Sequence, residues 1–284
     1  MSRPNRGAAR TLGAPVGTKG DMVSRLPLPA FAVLAVLAAC TASFNLARYQ
    51  TNDALYGAAM AEYEQHHWDN AIAAFERLTL QLPARDTLLP RAHWFLGRAH
   101  LERDEQLLAA QSFVRLVESF PADTLADDAL FEAARAYAAM WRKPELSPEY
   151  GETAVSTFQT LLSAYPDSPR VAEAQREIAR LHEWMARKDY ETGEYYERRR
   201  AYDSAIIYYQ DVVEKYPETP TAKRASLKLL GVYHELKYTE EAGEVCASLR
   251  ARYADDASVA AACGPAPTTA PRAPPADTSG TAAR

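Results

Sequence analysis

The sequence lacks the short motifs by which many enzymes are recognised. With 12 glycines and 3 cysteines among 284 residues, it has no glycine-rich phosphate loop, no Gly-x-Ser-x-Gly turn and no Cys-x-x-Cys pair. Its apolar run before residue 40 spans only about ten residues, which is too short for a helix to cross a bilayer. We therefore predict that the protein is not an enzyme, needs no cofactor and has no membrane-spanning helix in that run.

The charge of the chain is divided unevenly along its length. The formal net charge is −5, but the first 39 residues carry +4, so the part from Cys40 onward carries about −9. An acidic body repels a phosphate backbone, which argues against nucleic acid as a partner.

A pattern of alanine, then an aromatic residue four positions on, then proline twelve positions on recurs along the chain. Leucine or valine follows the alanine at offset seven, and a large apolar residue follows at offset eleven. Because offsets 0, 4, 7 and 11 share one face of a helix, each copy predicts an amphipathic helix that proline ends. The four full copies and a degenerate fifth are Ala71-Phe75-Pro83, Ala109-Phe113-Pro121, Ala154-Phe158-Pro166, Ala205-Tyr209-Pro217 and Ala242-Cys246-Ala254.

A second helix precedes each of these helices. Motifs such as Leu96-Gly97-x-x-His100 and Gly193-x-x-Tyr196 place a His or Tyr nine residues before the alanine, which is the tetratricopeptide spacing. The fold class predicted is all-α, a right-handed solenoid of about five tetratricopeptide-like helix pairs over residues 54–254. The predicted pairs are 53–65 with 68–82, 90–102 with 106–119, 126–141 with 149–164, about 171–199 with the Ala205 helix, and 221–237 with 240–253.

The amino terminus reads as a secretory signal. An apolar run after Arg25 ends in Leu37-Ala38-Ala39-Cys40, which resembles a bacterial lipobox. We expect a signal peptide over 1–39, cleavage between Ala39 and Cys40, a lipid on Cys40 and a polar tether over 40–53. Translation is predicted to begin at Met22, because residues 1–21 are unusual ahead of a signal peptide. The Pro- and Ala-rich residues 258–284 are predicted to be a disordered tail.

Other polar residues have simpler interpretations. His66 and His67 point about 100° apart on a helix, and His93 and His100 share a face without a third ligand, so no metal site is predicted. The pairs Asp127-Asp128 and Asp255-Asp256 are interpreted as solvated helix ends. Cys246 occupies a core position, while a disulfide from it to Cys263 stays open.

The run Arg198-Arg199-Arg200 is the sharpest basic cluster of the chain, with Arg187-Lys188 upstream. A solvated helix end, favoured by the helix dipole, is the simpler explanation. The alternative is a docking site for an acidic partner domain.

These features together resemble the BamD lipoprotein family of the outer-membrane β-barrel assembly machinery. The resemblance covers residues 40 to about 254. It is strongest at Tyr190-x-x-x-Glu194-Tyr195-Tyr196-x-x-Arg199-x-Ala201-Tyr202 and at Tyr-Pro-Asp-Ser and Tyr-Pro-Glu-Thr, which begin at 165 and 216. The family implies a periplasmic scaffold on the outer membrane, held there by its lipid, among other assembly lipoproteins.

The resemblance also implies two binding regions. The amino-terminal repeats would receive unfolded β-barrel substrates, with Tyr56, Tyr63, Trp68 and Trp94 as candidate contacts. The carboxy-terminal repeats would dock the barrel-bearing subunit, which resembles BamA, through Arg198, Arg199, Arg200 and Tyr195. A cell-envelope adaptor of the Tol and peptidoglycan type, similar to the CpoB family, is the main alternative, and an enzyme-associated lipoprotein is a third.

Overall fold

The computed structural model describes residues 44–264, and these residues form helices arranged in pairs. In each pair the first is called here the A helix and the second the B helix, and repeats one to five are numbered along the chain. The pairs are α1 (Asn52–Glu64) with α2 (Trp68–Gln81), α3 (Leu89–Glu102) with α4 (Gln106–Ser119), α5 (Ala126–Met140) with α6 (Glu149–Ala164), α7 (Val171–Arg198) with α8 (Tyr202–Lys215), and α9 (Pro220–Leu236) with α10 (Thr239–Arg252). A short α11 (Ala257–Cys263) follows.

Each helix packs chiefly on its neighbours in sequence, as a solenoid of helix pairs requires. The residues at offsets 0, 4 and 7 of every B helix are buried, as the repeat pattern predicts. The offset-eleven residues differ. All five are the residues at which their B helices end. Leu82 is buried, whereas Phe120, Tyr165, Tyr216 and Tyr253 are only half-buried.

Two of those half-buried rings, Tyr165 and Tyr216, join neighbouring repeats. Tyr165 packs against the cores of repeats two and three, and its hydroxyl donates a hydrogen bond to the carbonyl of Pro121 at 2.9 Å. Tyr216 packs against the core of repeat three and against that of repeats four and five. Tyr165 and Tyr216, each of which precedes a repeat-ending proline, therefore connect one core to the next.

Two A-helix glycines allow a B-helix ring to touch the backbone. A Cβ added to Gly97 would lie 2.7 Å from the ring of Phe113, and one added to Gly193 would lie 2.6 Å from the ring of Tyr209. No side chain fits in that space. At Gly97 and Gly193, the absence of a side chain therefore leaves the space that the offset-four ring of the B helix occupies.

The turn from A helix to B helix has one geometry in four repeats. His66, Asp104, Arg200 and Lys237 each adopt a left-handed conformation, with φ between 58° and 61°. In each turn the next residue donates a backbone hydrogen bond to a carbonyl five residues earlier, as Glu105 does to His100 at 2.9 Å. This is the Schellman helix end, in which glycine is the usual left-handed residue. Here the chain uses none.

Helix α7 spans 28 residues and serves two cores. Its first half contributes Ala174, Leu181 and Met185 to the core of repeat three, while Ala186 and Tyr190 belong to the core of repeats four and five. In the sequence, apolar residues recur at helical spacing over 171–185, which indicates a buried seam. The structure confirms this seam in part, because Val171 and Ile178 are only half-buried.

The prediction of a disordered carboxy-terminal tail is wrong for the first residues of that tail. Residues 257–263, which we expected to lie mostly within a disordered tail, form α11 instead. The side chain of Asp256 accepts from the backbone N–H groups of Ser258 and Val259 at its N-terminus. Cys263 at its end is bonded to Cys246, so the disulfide left open by the sequence is present. Residues 265–284 lie outside the described residues.

The carboxylate pairs are not simply solvated, contrary to expectation. Asp127 accepts from the hydroxyl of Ser168 at 2.6 Å, and Asp128 pairs with Arg170 at 2.6 Å. These bonds tie the end of repeat three back to the start of its own A helix. Asp256 likewise pairs with Lys223.

The amino-terminal predictions fall largely outside the described residues. Residues 1–43, with the signal peptide, Met22 and Cys40, are among those not described. Within the predicted tether, Leu46–Arg48 form a 3-10 turn and α1 begins at Asn52. Among residues 44–264, no helix is both long and apolar enough to cross a membrane.

Candidate functional sites

Three of the four aromatic residues proposed for substrate binding lie on repeat one. Tyr63 packs edge-on against Trp68, with ring centroids 5.2 Å apart, and against Phe95 of α3 at 5.3 Å. Trp68 also contacts His66 at 4.9 Å. These rings form one cluster where the turn of repeat one meets repeat two, and they are half-buried or exposed.

The other two candidates pack on B-helix rings. Tyr56 lies 6.1 Å from Phe75, and Trp94 lies 5.3 Å from Phe113. Phe95 links Phe75 to the Tyr63 cluster, since it stacks on Phe75 at 5.9 Å. Tyr56 is therefore connected to that cluster through two core rings, whereas Trp94 packs on the core of repeat two.

Arginine side chains lie beside these rings, and sequence reasoning missed them. The guanidinium of Arg98 lies 6.0 Å from the ring of Trp94. It also hydrogen-bonds to Tyr63, whose pKa burial raises and Arg98 pulls down. Burial raises the pKa of Tyr56, and nearby Arg91 opposes the rise. The signal was in the sequence, because residues three before and four after Trp94 share its helix face.

The basic cluster lies at the end of α7. Arg198, Arg199 and Arg200 are exposed, and within the described part of the chain none of them forms an ion pair. The guanidinium of Arg199 stacks on the ring of Tyr195 at 3.7 Å, and Tyr195 is itself 44% exposed. A stacked guanidinium keeps its N–H edges available for a carboxylate. The structure thus leaves the three guanidinium groups exposed and fixes the orientation of one of them.

A network of polar side chains supports this end of α7. Glu197 accepts from the hydroxyl of Tyr209 at 2.6 Å and from Lys228 of α9 at 3.1 Å. Burial, followed by the Glu197 hydrogen bond, raises the pKa of Tyr209, so its hydroxyl stays a donor. A cleft of about 570 Å³ opens above the network, with Arg198, Arg200, Lys228 and Glu235 among its lining. Neither Glu197 nor Lys228 was singled out from the sequence.

The two histidines of α3 have different surroundings. His100 donates or accepts through Nδ1 with Glu105 at 2.7 Å, and Nδ1 of buried His93 has no partner among the described residues. Burial and, to a lesser extent, the positive charge of Arg115 together lower the pKa of His93 to about 4. Within residues 44–264, no group of three or more His, Cys, Asp or Glu could hold a metal ion.

Five consecutive helix pairs, with the repeated alanine and offset-four residue of every B helix buried, define a helical-repeat protein of the tetratricopeptide-like class. Residues 48–249 match the family described as YfiO, outer membrane lipoprotein. The chain belongs to that family, as the lipobox and repeats suggested.

Two curated relatives carry the same name. The chain is 25% identical over 217 residues to an outer membrane protein assembly factor BamD from Vibrio cholerae, a match that covers 73% of this chain and 90% of that protein. It is 21% identical to the protein of that name from Caulobacter vibrioides, over 66% of this chain and 61% of that one. The second match therefore spans less than two thirds of that relative.

The chain shares less sequence identity with the solved structures that it resembles than with these two relatives. The crystal structure of the P58(IPK) TPR domain is 13% identical with a TM-score of 0.40, and covers 75% of this chain and 54% of that one. TTC0263, a thermophilic TPR protein of Thermus thermophilus, is 20% identical with a TM-score of 0.33, over 74% and 96% of the two chains. Values this low carry no conclusion about function.

Proposed function

We propose that this protein is a scaffold lipoprotein that takes part in assembling β-barrel proteins into the outer membrane. Its membership of the YfiO family over residues 48–249 is the observation that carries the proposal. The relatives named as outer membrane protein assembly factors support it. The same match favours this role over the adaptor of the Tol and peptidoglycan type. A scaffold needs no catalytic group and no cofactor beyond its lipid.

The protein would sit on the periplasmic face of the outer membrane, held by acyl chains on Cys40. The lipobox at 37–40 supports this placement. Stable anchoring needs more than one acyl chain, and a lipoprotein cysteine supplies several.

The amino-terminal repeats would receive unfolded substrates. Tyr56, Tyr63, Trp68 and Trp94 support this role because each is partly accessible and is held by contacts with other rings. Rigid aromatic side chains bind with little loss of conformational entropy. An unfolded β-barrel chain offers alternate apolar residues to such a surface.

The carboxy-terminal repeats would dock the barrel-bearing subunit, which resembles BamA, through Arg198, Arg199, Arg200 and Tyr195. The stacking of Arg199 on Tyr195 supports this assignment, because arginine and tyrosine dominate binding energy at interfaces. A single exposed pair contributes only about 0 to 1 kcal/mol. A desolvated interfacial pair costs roughly 2 to 5 kcal/mol when one partner is removed.

Reversing the three arginines tests the docking role. We expect R198E/R199E/R200E to abolish co-purification of the barrel-bearing subunit. Far-ultraviolet circular dichroism and the melting temperature should stay near wild type, because the three side chains form no ion pair within the described chain. The variant R85E/R115E/R176E makes the same charge change at exposed arginines elsewhere and should co-purify normally. If R198E/R199E/R200E co-purified the barrel-bearing subunit at the wild-type yield, the cluster would be interpreted as a solvated helix end.

A further inference from the structure

One glycine of α9 has no role in the packing of this chain. Gly231 lies inside α9, where glycine is less favourable than alanine. Gly97 and Gly193 each admit a ring, whereas a Cβ added to Gly231 would meet no atom within 4 Å. The helical glycines Gly57 and Gly243 are equally open, but of these three only Gly231 lines the cleft of about 570 Å³ at the end of α7. The fold by itself therefore does not require a glycine at this position.

The cleft lies between the end of α7 and one face of α9. Lys228 and Glu235 lie three residues before and four residues after Gly231, so these three positions share a helix face. The missing side chain of Gly231 leaves a gap between the two charged side chains. Arg198 and Arg200 line the same cleft from the other side. A ligand in the cleft therefore has access to the backbone of α9 beside two guanidinium groups.

Half of the charged groups that line the cleft are already paired within the chain. Lys228 donates to Glu197 at 3.1 Å and lies 3.7 Å from Glu194. Each of these two carboxylates also accepts a hydrogen bond from a tyrosine hydroxyl. Within the described part of the chain, the other three charged side chains of the lining form no ion pair, namely Arg198, Arg200 and Glu235. Two positive charges and one negative charge are thus left for a ligand.

The basic cluster at the end of α7 is divided between two surfaces. Arg198 and Arg200 belong to the lining of the cleft, and Arg199 and Tyr195 do not. The guanidinium of Arg199 instead lies on the Tyr195 ring at 3.7 Å. The three arginines therefore do not form a single site, although they are consecutive in sequence.

We propose that the cleft between α7 and α9 receives an acidic side chain of the barrel-bearing subunit, whose backbone passes close to Gly231 and whose carboxylate pairs with Arg198 and Arg200. Unpaired positive charge exceeds unpaired negative charge in the cleft, which favours an acidic ligand. Glycine is the residue that permits a close approach between a helix backbone and a ligand. This inference rests on the proposed docking role, and it adds where the partner enters and which type of side chain it contributes.

Filling the cleft tests the proposal without changing any charge. The probe is the purified barrel-bearing subunit in detergent, titrated against the full-length protein by biolayer interferometry. We expect Gly231→Leu to weaken binding at least about tenfold, because its side chain occupies the place of the ligand. The matched variant Gly243→Leu changes an open, exposed glycine on α10 of the same repeat, outside the lining of the cleft. It should change affinity less than about twofold. Wild-type affinity in Gly231→Leu, or equal losses in both variants, would overturn the proposal.

Melting temperatures separate a loss of binding from a loss of folding. Leucine and alanine both favour a helix more than glycine does, so all the glycine variants should melt at or above the wild-type temperature. Gly231→Ala adds a single methyl group in open space, and it should weaken binding several-fold while it raises the melting temperature. If Gly231→Leu melted below Gly243→Leu, the decision would pass to Gly231→Ala. Wild-type affinity in the alanine variant would then rule out close backbone approach.

Two charge variants determine the sign of the ligand. Glu235→Gln removes the unpaired negative charge from the cleft, so it should strengthen binding of an acidic side chain several-fold. R198Q/R200Q should weaken binding at least about tenfold. The matched variant R85Q/R115Q removes the same charge from exposed positions elsewhere and should change affinity less than about twofold. Weaker binding in Glu235→Gln would show that the cleft receives a basic side chain, contrary to the proposal.

These outcomes distinguish the cleft from the docking role itself. If R198E/R199E/R200E abolishes co-purification while Gly231→Leu binds as wild type does, the carboxy-terminal repeats dock the subunit through a surface outside the cleft. If neither variant alters binding, both the docking role and the inference about the cleft are wrong.

Discussion

At the scale of single residues, the pairing of Gly97 with Phe113 decides how closely α3 approaches α4. In the sequence pattern, the small alanine at offset zero of the B helix is the residue that lets a partner helix approach closely. The structure adds that the A helix must also be small at the facing position, since the ring occupies the place of the missing Cβ. The repeat pattern thus has two complementary parts, a glycine on the A helix and the aromatic ring that faces it on the B helix.

Two glycine substitutions of the same chemistry should have opposite effects. Gly97→Ala forces a Cβ against the Phe113 ring and should lower the free energy of unfolding by about 1 to 3 kcal/mol. Gly57 is exposed, and a Cβ there meets nothing within 4 Å. Gly57→Ala should therefore raise the free energy of unfolding by about 0.5 to 1 kcal/mol. Urea titration measures both, and a stabilised Gly97→Ala would mean that the ring moves aside at no cost.

His93 makes stability depend on pH. Its pKa is about 4 in the fold and near 6.5 in an unfolded chain, so the unfolded state binds the proton more readily. Stability from this residue is complete above about pH 6.5 and is lost as the pH falls toward 4, by on the order of 3 kcal/mol.

The His93→Leu variant checks this dependence. It should flatten the fall in unfolding free energy between pH 7 and 5 relative to wild type, as measured by urea titration at several pH values. Carboxylates titrate in both proteins, so the difference between the two curves isolates the histidine. Parallel curves would show that the pKa of His93 is the same in the fold as in the unfolded chain.

At the scale of helices, the sequence pattern predicts most of the fold. The predicted A and B helix bounds agree with the structure to within one residue, because proline and the aromatic periodicity mark the ends so clearly. The single long α7 follows from the unbroken apolar rhythm of 171–185.

The elements that the pattern misses depend on contacts between distant residues. We predicted a disordered tail over 258–284 from composition alone. The Asp256 cap, the burial of Val259 and the Cys246 disulfide hold α11 in place instead. Asp127 and Asp128 looked like a solvated helix end because their partners Ser168 and Arg170 lie about forty residues away. Local periodicity cannot report such partners. The arginines beside Trp94, by contrast, could have been predicted from local periodicity, because they share its helix face.

The attachment of α11 predicts the effect of breaking the disulfide. Cys263→Ser removes a link across 17 residues, and closing a loop of that size contributes about 3 kcal/mol in the chain-entropy view. We expect a lower melting temperature in the variant. Wild type treated with dithiothreitol should match it, whereas reduction should leave the variant itself unchanged. A melting temperature that reduction lowers equally in both proteins would assign the effect to another cause.

At the scale of the whole molecule, the proposed anchor and the repeat body should be separable. The acyl chains would join Cys40, outside the described residues, whereas the body is held by contacts within residues 46–264. The Cys40→Ala variant should therefore remain folded but appear in the soluble fraction. Retention of that variant in the membrane pellet after a high-salt wash would show that something other than the lipid holds the protein there.

The length of α7 has a consequence for cooperativity of folding. A chain of repeats that contact only their neighbours can open one unit at a time from either end. Because α7 contributes to the core of repeat three and to that of repeats four and five, neither core can open without breaking the same helix. The middle of the molecule should therefore open as one large unit with the slowest amide hydrogen exchange. Helix α5 joins the core of repeat two to that unit in the same way. Repeat one, which carries three of the four aromatic residues that we assign to unfolded substrates, should therefore be the part of that surface that opens first and adapts most readily.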